Sequence, residues 1–137
     1  EYGFDVKIDT NGSRPRVLEE LMTRQLVDYV ALDFKALEHR FHAVTKSGLF
    51  SEFVESLSLL NRSDVSFEVR TTVHSDLIGL ADLQEMVKFL QHVDYRGRYY
   101  IQHYVNGVPV LGGLGRSEKN ERLSTLSTDQ IQIVIRE

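Results

Sequence analysis

Two short segments of this sequence end an apolar, strand-like run with a carboxylate. Residues 6–12 carry Asp9, and residues 27–35 carry Asp33 and Lys35. Side chains two positions apart share one face of a strand, so Asp33 and Lys35 are predicted to lie side by side. Carboxylates and a lysine on neighbouring strand ends could hold an amino-acid zwitterion. The carboxylates would face its ammonium group, directly or through a bound cation, and the lysine would face its carboxylate.

The hydrophobic pattern predicts the elements that position these residues. Residues 27–34 are apolar on both faces, which is typical of a strand covered on both sides in a parallel α/β sheet. Ser13 is the predicted N-cap of the first helix, and Pro15 lies in its first turn. The predicted elements are strand 4–8, loop 9–12, a helix from residue 13, strand 27–34, a partly helical loop 36–48, helix 50–60, strand 65–74, loop 76–80, helix 83–94, strand 98–105, loop 106–115, short helix 118–126 and strand 131–135.

The order of these elements predicts the fold and the place of the ligand. Strands that alternate with helix-length connections imply parallel pairing and right-handed crossovers, as in a half barrel or a small open sheet. In both architectures ligands bind at the carboxyl ends of the strands. The residues at those ends are Asp9, Thr10, Asn11, Asp33, Lys35, Thr72, His74, Gln102, His103 and Tyr104.

The acidic and basic residues at the strand ends also have structural interpretations. Asp33 and Lys35 could form an ion pair at the rim of the sheet that contributes little stability. Asp9 could cap the turn at residues 11–12 or the helix that follows. These alternatives stay open at the level of the sequence.

The remaining histidines and tyrosines point less clearly to chemistry. His74 by itself is typical of a satisfied polar residue, and Tyr99 and Tyr100 are predicted to be core residues. His39 and His42 have helical i, i+3 spacing, but no third candidate ligand is near them in sequence. We therefore predict no metal site there.

Composition bounds the class of protein. The chain has 137 residues, a formal net charge of −4 and no cysteine, so it lacks a thiolate nucleophile and any cysteine ligand for a metal or an iron–sulfur cluster. We expect a single domain, with residues 1–105 forming the α/β part and residues 106–137 a tail with a short helix and strand. The absence of basic blocks and long apolar runs argues against nucleic acid or membrane partners and predicts a cytoplasmic location.

The motifs resemble those of one enzyme family. Residues 9–12 (Asp-Thr-Asn-Gly), 26–35, 67–74 and 100–102 follow in the order and spacing of the radical S-adenosylmethionine enzymes that activate anaerobic ribonucleotide reductase and pyruvate formate-lyase. The resemblance covers residues 1–105. It implies the C-terminal half of a partial (β/α)6 barrel of the TIM type, in which parallel strands alternate with helices.

The resemblance also implies a cofactor, a partner and a set of binding residues. Such proteins bind a [4Fe–4S] cluster through an N-terminal Cys-x-x-x-Cys-x-x-Cys loop and carry a Gly-Gly-Glu strand. The cluster reduces S-adenosylmethionine, and the 5′-deoxyadenosyl radical abstracts a hydrogen from a glycine of the partner glycyl-radical enzyme. The residues implied to bind the cofactor are Asp9, Asp33 and Lys35 at its methionine end, Thr10 as a lesser candidate, and Arg70, Thr72 and His74 in the same cavity.

This chain departs from the family pattern, because the cysteine loop and the Gly-Gly-Glu strand are absent. The resemblance therefore assigns it no catalytic residue and no metal ligand. Residues 1–4 read like the end of a helix, so we expect the C-terminal part of a longer protein that is inactive alone and prone to dimerise.

Two other functions are compatible with the same residues. One is a phosphate-sugar barrel enzyme of the decarboxylase or aldolase type, in which an Asp-x-Lys array with Glu38 as a further acid does the chemistry. No glycine-rich phosphate loop of the expected form follows the late strands, which argues against it. The other is a non-catalytic docking or assembly domain.

Overall fold

The computed structural model describes residues 5–73, 78–103 and 128–136. Its elements are β1 (Lys7–Thr10), α1 (Pro15–Thr23), β2 (Tyr29–Asp33), α2 (Glu38–Thr45), α3 (Phe50–Asn61), β3 (Ser66–Val73), α4 (Leu80–His92), β4 (Arg98–His103) and β5 (Gln132–Arg136). This order confirms the predicted α/β class. The predicted loop 106–115 and helix 118–126 lie outside the described residues.

The strands form one sheet in the order β1-β2-β3-β4-β5. The pairs β1–β2, β2–β3 and β4–β5 are parallel, as predicted from the alternation of strands and helices. The register places Asp9, Ala31 and Glu68 in one row across β1, β2 and β3, and Asp33 opposite Arg70 in the next row. The chain divides into two compact units, Glu1–Arg70 and Thr71–Glu137, which are described separately below.

In the first unit one face of the strands is apolar and carries the helices. Val30, Leu32 and Val69 are fully buried on this face, and α1 and α3 pack against each other. The rings of Phe34 and Phe53 are stacked with their centroids 4.9 Å apart, which joins the end of β2 to α3. Burial of such side chains, about 1.5–3 kcal/mol each, is the main force that fixes the strands to the helices.

The opposite face of the same strands is polar, which differs from the prediction for β2. Tyr29 and Asp33 are half-buried on this face, and only Ala31 between them is buried. Tyr29 and Ala31 were both treated as apolar in the sequence pattern. The hydroxyl of Tyr29, however, donates a hydrogen bond to the carboxylate of Glu68. Among the described residues of β2, this face therefore carries polar groups at Tyr29 and Asp33 where an apolar surface was predicted.

Several element boundaries differ from those predicted. β1 ends at Thr10, so Asp9 lies inside the strand and pairs in register with Ala31 instead of beginning a loop. The N-cap of α1 is Arg14 rather than Ser13, whose backbone N–H is bonded to the side chain of Asn11, while Pro15 does lie in the first turn. The segment expected to be partly helical contains a complete helix, α2.

The second unit is built on β4 and β5. Tyr95, Tyr99 and Ile101 are buried there, and the hydroxyl groups of Thr71 and Tyr99 lie 2.5 Å apart. This confirms the predicted core role of Tyr99, and Tyr100 is also buried. Within the ranges that the structure describes, no helix is long and apolar enough to cross a membrane.

Candidate functional site

The polar face of the first unit gathers charged side chains at the carboxyl ends of β1, β2 and β3. Alternation along each strand puts Asp9 on this face of β1, Asp33 on this face of β2, and Glu68 and Arg70 on this face of β3. A backbone hydrogen bond from Phe34 to the carbonyl of Arg70 extends the pairing past Asp33 and keeps the two strand ends level. The predicted residues Asp9, Asp33 and Arg70 thus share one edge.

Arg70 is held by two carboxylates. Its Nη2 lies 2.6 Å from Oδ1 of Asp9, and its Nε lies 3.1 Å from Oε2 of Glu68. Both acids belong to the row that includes Ala31, so the guanidinium crosses β2 at the level of this small residue. A planar guanidinium with donors on two edges suits such a bridge, whereas a lysine could not span it in the same way.

Glu68 is the most deeply buried charged group of the site, with 6% of its side chain exposed. Its Oε1 accepts a hydrogen bond from the hydroxyl of Tyr29 at 2.7 Å. Its Oε2 lies within ion-pair distance of Nε of Arg70, and this oxygen accepts no hydrogen bond from the described residues.

Asp33 and Lys35 form the ion pair that the spacing predicted. Oδ2 of Asp33 lies 2.6 Å from Nζ of Lys35, with 32% and 40% of the respective side chains exposed. A pair that faces solvent to this extent contributes about 0–1 kcal/mol to stability. Asp33 and Lys35 therefore do form the weak rim ion pair that was the structural alternative. Both charged groups remain accessible to a ligand.

The turn after β1 is held by residues other than Asp9. Oγ1 of Thr10 accepts the backbone N–H of Gly12, and the side chain of Asn11 accepts that of Ser13. The alternative in which Asp9 caps this turn is wrong, because its carboxylate binds Arg70 and is 73% exposed. Thr10, a predicted cofactor-binding residue, uses its hydroxyl within the turn.

A close contact with α3 fixes the position of that turn. Gly12 has φ +73°, and a Cβ at this residue would lie 3.1–3.3 Å from atoms of Leu32, Phe53 and Ser56. The buried hydroxyl of Ser56 donates to the carbonyl of Gly12 at 2.8 Å. Only glycine combines the left-handed backbone with so close an approach, which anchors the segment that follows Asp9.

The predicted site residues of the later strands belong to the second unit or lie outside the described residues. Thr72 is half-buried on β3 and belongs to the second unit, and Gln102 is exposed on β4. His74 and Tyr104 lie outside the described residues. His39 and His42 are exposed on α2, and the described part of the chain contains no cluster of His, Cys, Asp or Glu that could hold a metal.

Glu68 and Tyr29 belong to the site although neither was predicted to do so. Glu68 stands two positions before Arg70, with the apolar Val69 between them, so alternation puts both charged residues on one face of the strand. That spacing was the signal that could have identified Glu68. Tyr29 could not have been found in this way, because its contact with Glu68 joins residues 39 positions apart.

The charges of the site allow a test of the cofactor that the resemblance implies. Two cations, Lys35 and Arg70, face three carboxylates at the strand ends, while Lys7 lies farther back, 5.4 Å from the ring centroid of Tyr29. One carboxylate in excess fits a ligand with one net positive charge, such as S-adenosylmethionine with its ammonium, sulfonium and carboxylate groups. A [4Fe–4S] cluster does not fit, because the chain has no cysteine.

The chain is similar in sequence to a protein of Methanocaldococcus jannaschii that carries the provisional name glycyl-radical enzyme activating enzyme. The two are 32% identical over 109 residues, which cover 76% of this chain and 44% of the relative. The chain thus spans less than half the length of that relative. No protein-family profile matches the chain, and no solved structure matches it significantly. The similarity confirms the resemblance that the motifs indicated.

Proposed function

We propose that this chain, as a relative of the glycyl-radical enzyme activating proteins, is the part of such an enzyme that binds the methionine end of S-adenosylmethionine. The observation that carries the proposal is the gathering of Asp9, Asp33, Lys35 and Arg70 on one polar face at the strand ends. They include the acid of the Asp-Thr-Asn-Gly segment, both charged residues of the Asp-x-Lys pair and the arginine of segment 67–74. Their charges complement those of an amino-acid zwitterion.

Each of the proposed binding residues has a distinct role. Asp9 accepts a hydrogen bond from the ammonium group of the ligand through Oδ2, because Arg70 engages Oδ1. Lys35 binds the carboxylate of the ligand, and Asp33 holds the lysine at the rim. Thr10 keeps the turn after Asp9 in place, while Thr72 and His74 stay candidates for the more distant parts of the ligand.

The chemistry proposed for the parent protein is that of the family. Bound S-adenosylmethionine, cleaved reductively at a [4Fe–4S] cluster held outside this chain, supplies the radical that removes a hydrogen atom from a glycine of a partner enzyme. The residues of this chain bind and orient the cofactor, and none of them is a cluster ligand. We further propose that the parallel sheet is the C-terminal half of a partial (β/α)6 barrel, and that the isolated chain self-associates through its uncovered surface.

Isothermal titration calorimetry with the 137-residue chain tests this function. We expect weak binding of S-adenosylmethionine, weakened further by Asp33→Ala and by Lys35→Ala. The matched control is Glu55→Gln, which removes an exposed carboxylate on α3 in the same unit. Tighter binding of a sugar phosphate such as ribulose 5-phosphate would instead favour the decarboxylase-like alternative, and binding of neither ligand would favour a docking domain.

A further inference from the structure

Glu68 has no role in the function proposed above, although it is the most buried charge on the polar face. Burying a carboxylate costs free energy unless it is paired, and replacing a buried ion pair with apolar side chains is often neutral or stabilising. Stability alone is therefore a weak reason for a glutamate at this position. The contacts of Glu68 indicate what it does instead.

Those contacts connect Glu68 to the ligand-binding residues through Arg70. The hydroxyl of Tyr29 donates to Oε1 and fixes the carboxylate from the β2 side. Oε2 then lies 3.1 Å from Nε of Arg70, while Nη2 of the same guanidinium reaches Asp9. Both contacts use one edge of the guanidinium, and no described residue is paired with Nη1.

The register shows that this arrangement is imposed on Arg70. Its Cα stands opposite that of Asp33, the nearest carboxylate across the strand pair. The guanidinium nevertheless turns back along β3 toward Glu68 and crosses to Asp9, and Lys35 neutralises Asp33 in its place. A long side chain left to itself would distribute among several rotamers, and ordering it costs up to about 2 kcal/mol.

We infer that Glu68, supported by Tyr29, is a positioning residue that holds Arg70 so that its Nη1 edge binds the carboxylate of the ligand beside Lys35. This inference rests on the proposed function and deepens it. Glu68 itself does not touch the ligand. Its effect is to order Arg70 before binding, and to leave Asp33 and Lys35 as a separate pair.

Two readouts separate this role from a general effect of charge. The first is the order of the Arg70 side chain in the ligand-free chain, measured as the heteronuclear NOE of its Nε–Hε signal. That signal is assigned by its disappearance from the spectrum of Arg70→Lys. The second is the ratio of affinities for S-adenosylmethionine and for its decarboxylated analogue, which lacks the carboxylate. Glu68→Gln keeps the shape of the side chain and an acceptor for Tyr29, but removes the charge.

We expect Glu68→Gln to lower the NOE of the Arg70 signal and to lower the affinity for S-adenosylmethionine by about tenfold, equivalent to about 1.4 kcal/mol. Tyr29→Phe should produce the same changes to a smaller degree, and Glu55→Gln neither. The analogue should lose less affinity than S-adenosylmethionine, so the ratio falls. If Glu68 supplied only a negative field, the analogue with its two positive charges would lose more, and a rise in the ratio overturns the inference.

The test also distinguishes failure of the inference from failure of the proposed function. An unchanged Arg70 signal in Glu68→Gln overturns the positioning role even if the wild-type chain binds S-adenosylmethionine. A wild-type chain that binds neither ligand overturns the proposed function. In that case a lower NOE of the Arg70 signal in Glu68→Gln still supports the positioning of Arg70 by Glu68, and an unchanged NOE overturns it.

Discussion

Arg70 and Asp9 are ion-paired across an intervening strand. Nη2 of Arg70 on β3 lies 2.6 Å from Oδ1 of Asp9 on β1, and the two residues are 61 positions apart in the chain. The guanidinium passes the strand between them at Ala31, the smallest side chain of that row. The pair links the first motif of the sequence to the strand that carries the third.

The first prediction concerns the space above β2. Replacing Ala31 by leucine places a larger side chain where the guanidinium crosses, so Arg70 and Asp9 separate. Because Ala31 is buried, overpacking should also lower the free energy of unfolding by about 1–3 kcal/mol. Urea denaturation measures the loss. Ala43→Leu, at an exposed position of α2, is the control, and an equal effect of the two changes would contradict the prediction.

The second prediction separates binding from stability at Asp9. Its side chain is largely exposed, so Asp9→Asn should change the free energy of unfolding by less than about 1 kcal/mol. The affinity for S-adenosylmethionine should nevertheless fall by about tenfold, since the ammonium group of the ligand loses a charged acceptor. Asp64→Asn removes another exposed acid and should alter neither quantity. Calorimetry measures the affinity and urea denaturation the stability of both variants. If Asp9→Asn loses stability but keeps its affinity, the role of Asp9 is purely structural.

The third prediction compares two glycines. Gly12→Ala forces a Cβ into contact with α3 at a left-handed φ and should lower the free energy of unfolding by about 2 kcal/mol or more. At Gly48 a Cβ would meet nothing within 4 Å and φ is not positive, so alanine there should be neutral or stabilise by up to about 1 kcal/mol. Thermal denaturation of both variants checks the difference. A loss of stability in Gly48→Ala as large as that in Gly12→Ala would contradict the prediction.

The fourth prediction tests the anchor of the turn from the side of α3. Ser56→Ala leaves the carbonyl of Gly12 without its donor and should cost about 1 kcal/mol in the free energy of unfolding. Ser58→Ala, at an exposed position two residues along the same helix, should have no destabilising effect because alanine favours helices. If urea denaturation shows equal stability for the two variants, the hydrogen bond does not fix the turn.

Local patterns predicted much of the first unit. Period-two alternation put Asp33 and Lys35 on one face, where the ion pair is found, and helical spacing identified α3. The segment 36–48 was expected to be only partly helical, because His39, Arg40 and His42 make it polar. Phe41 is the one buried residue of α2, so the helix does not pack through a continuous apolar stripe. Its packing depends instead on the edge-to-face contact of Phe41 with Phe50, whose ring centroids are 5.5 Å apart.

The sequence by itself determined the two acidic strand ends, which follow from patterns within a few residues. It also determined the α/β class and the parallel pairing, which follow from the order of strands and helices along the chain. Only the tertiary structure decided that Arg70 binds Asp9 rather than Asp33, and that Glu68 is buried behind it. These contacts depend on the register of three strands and on the small side chain of Ala31. Residues 39 and 61 positions apart meet there, and no local periodicity specifies which of them become neighbours.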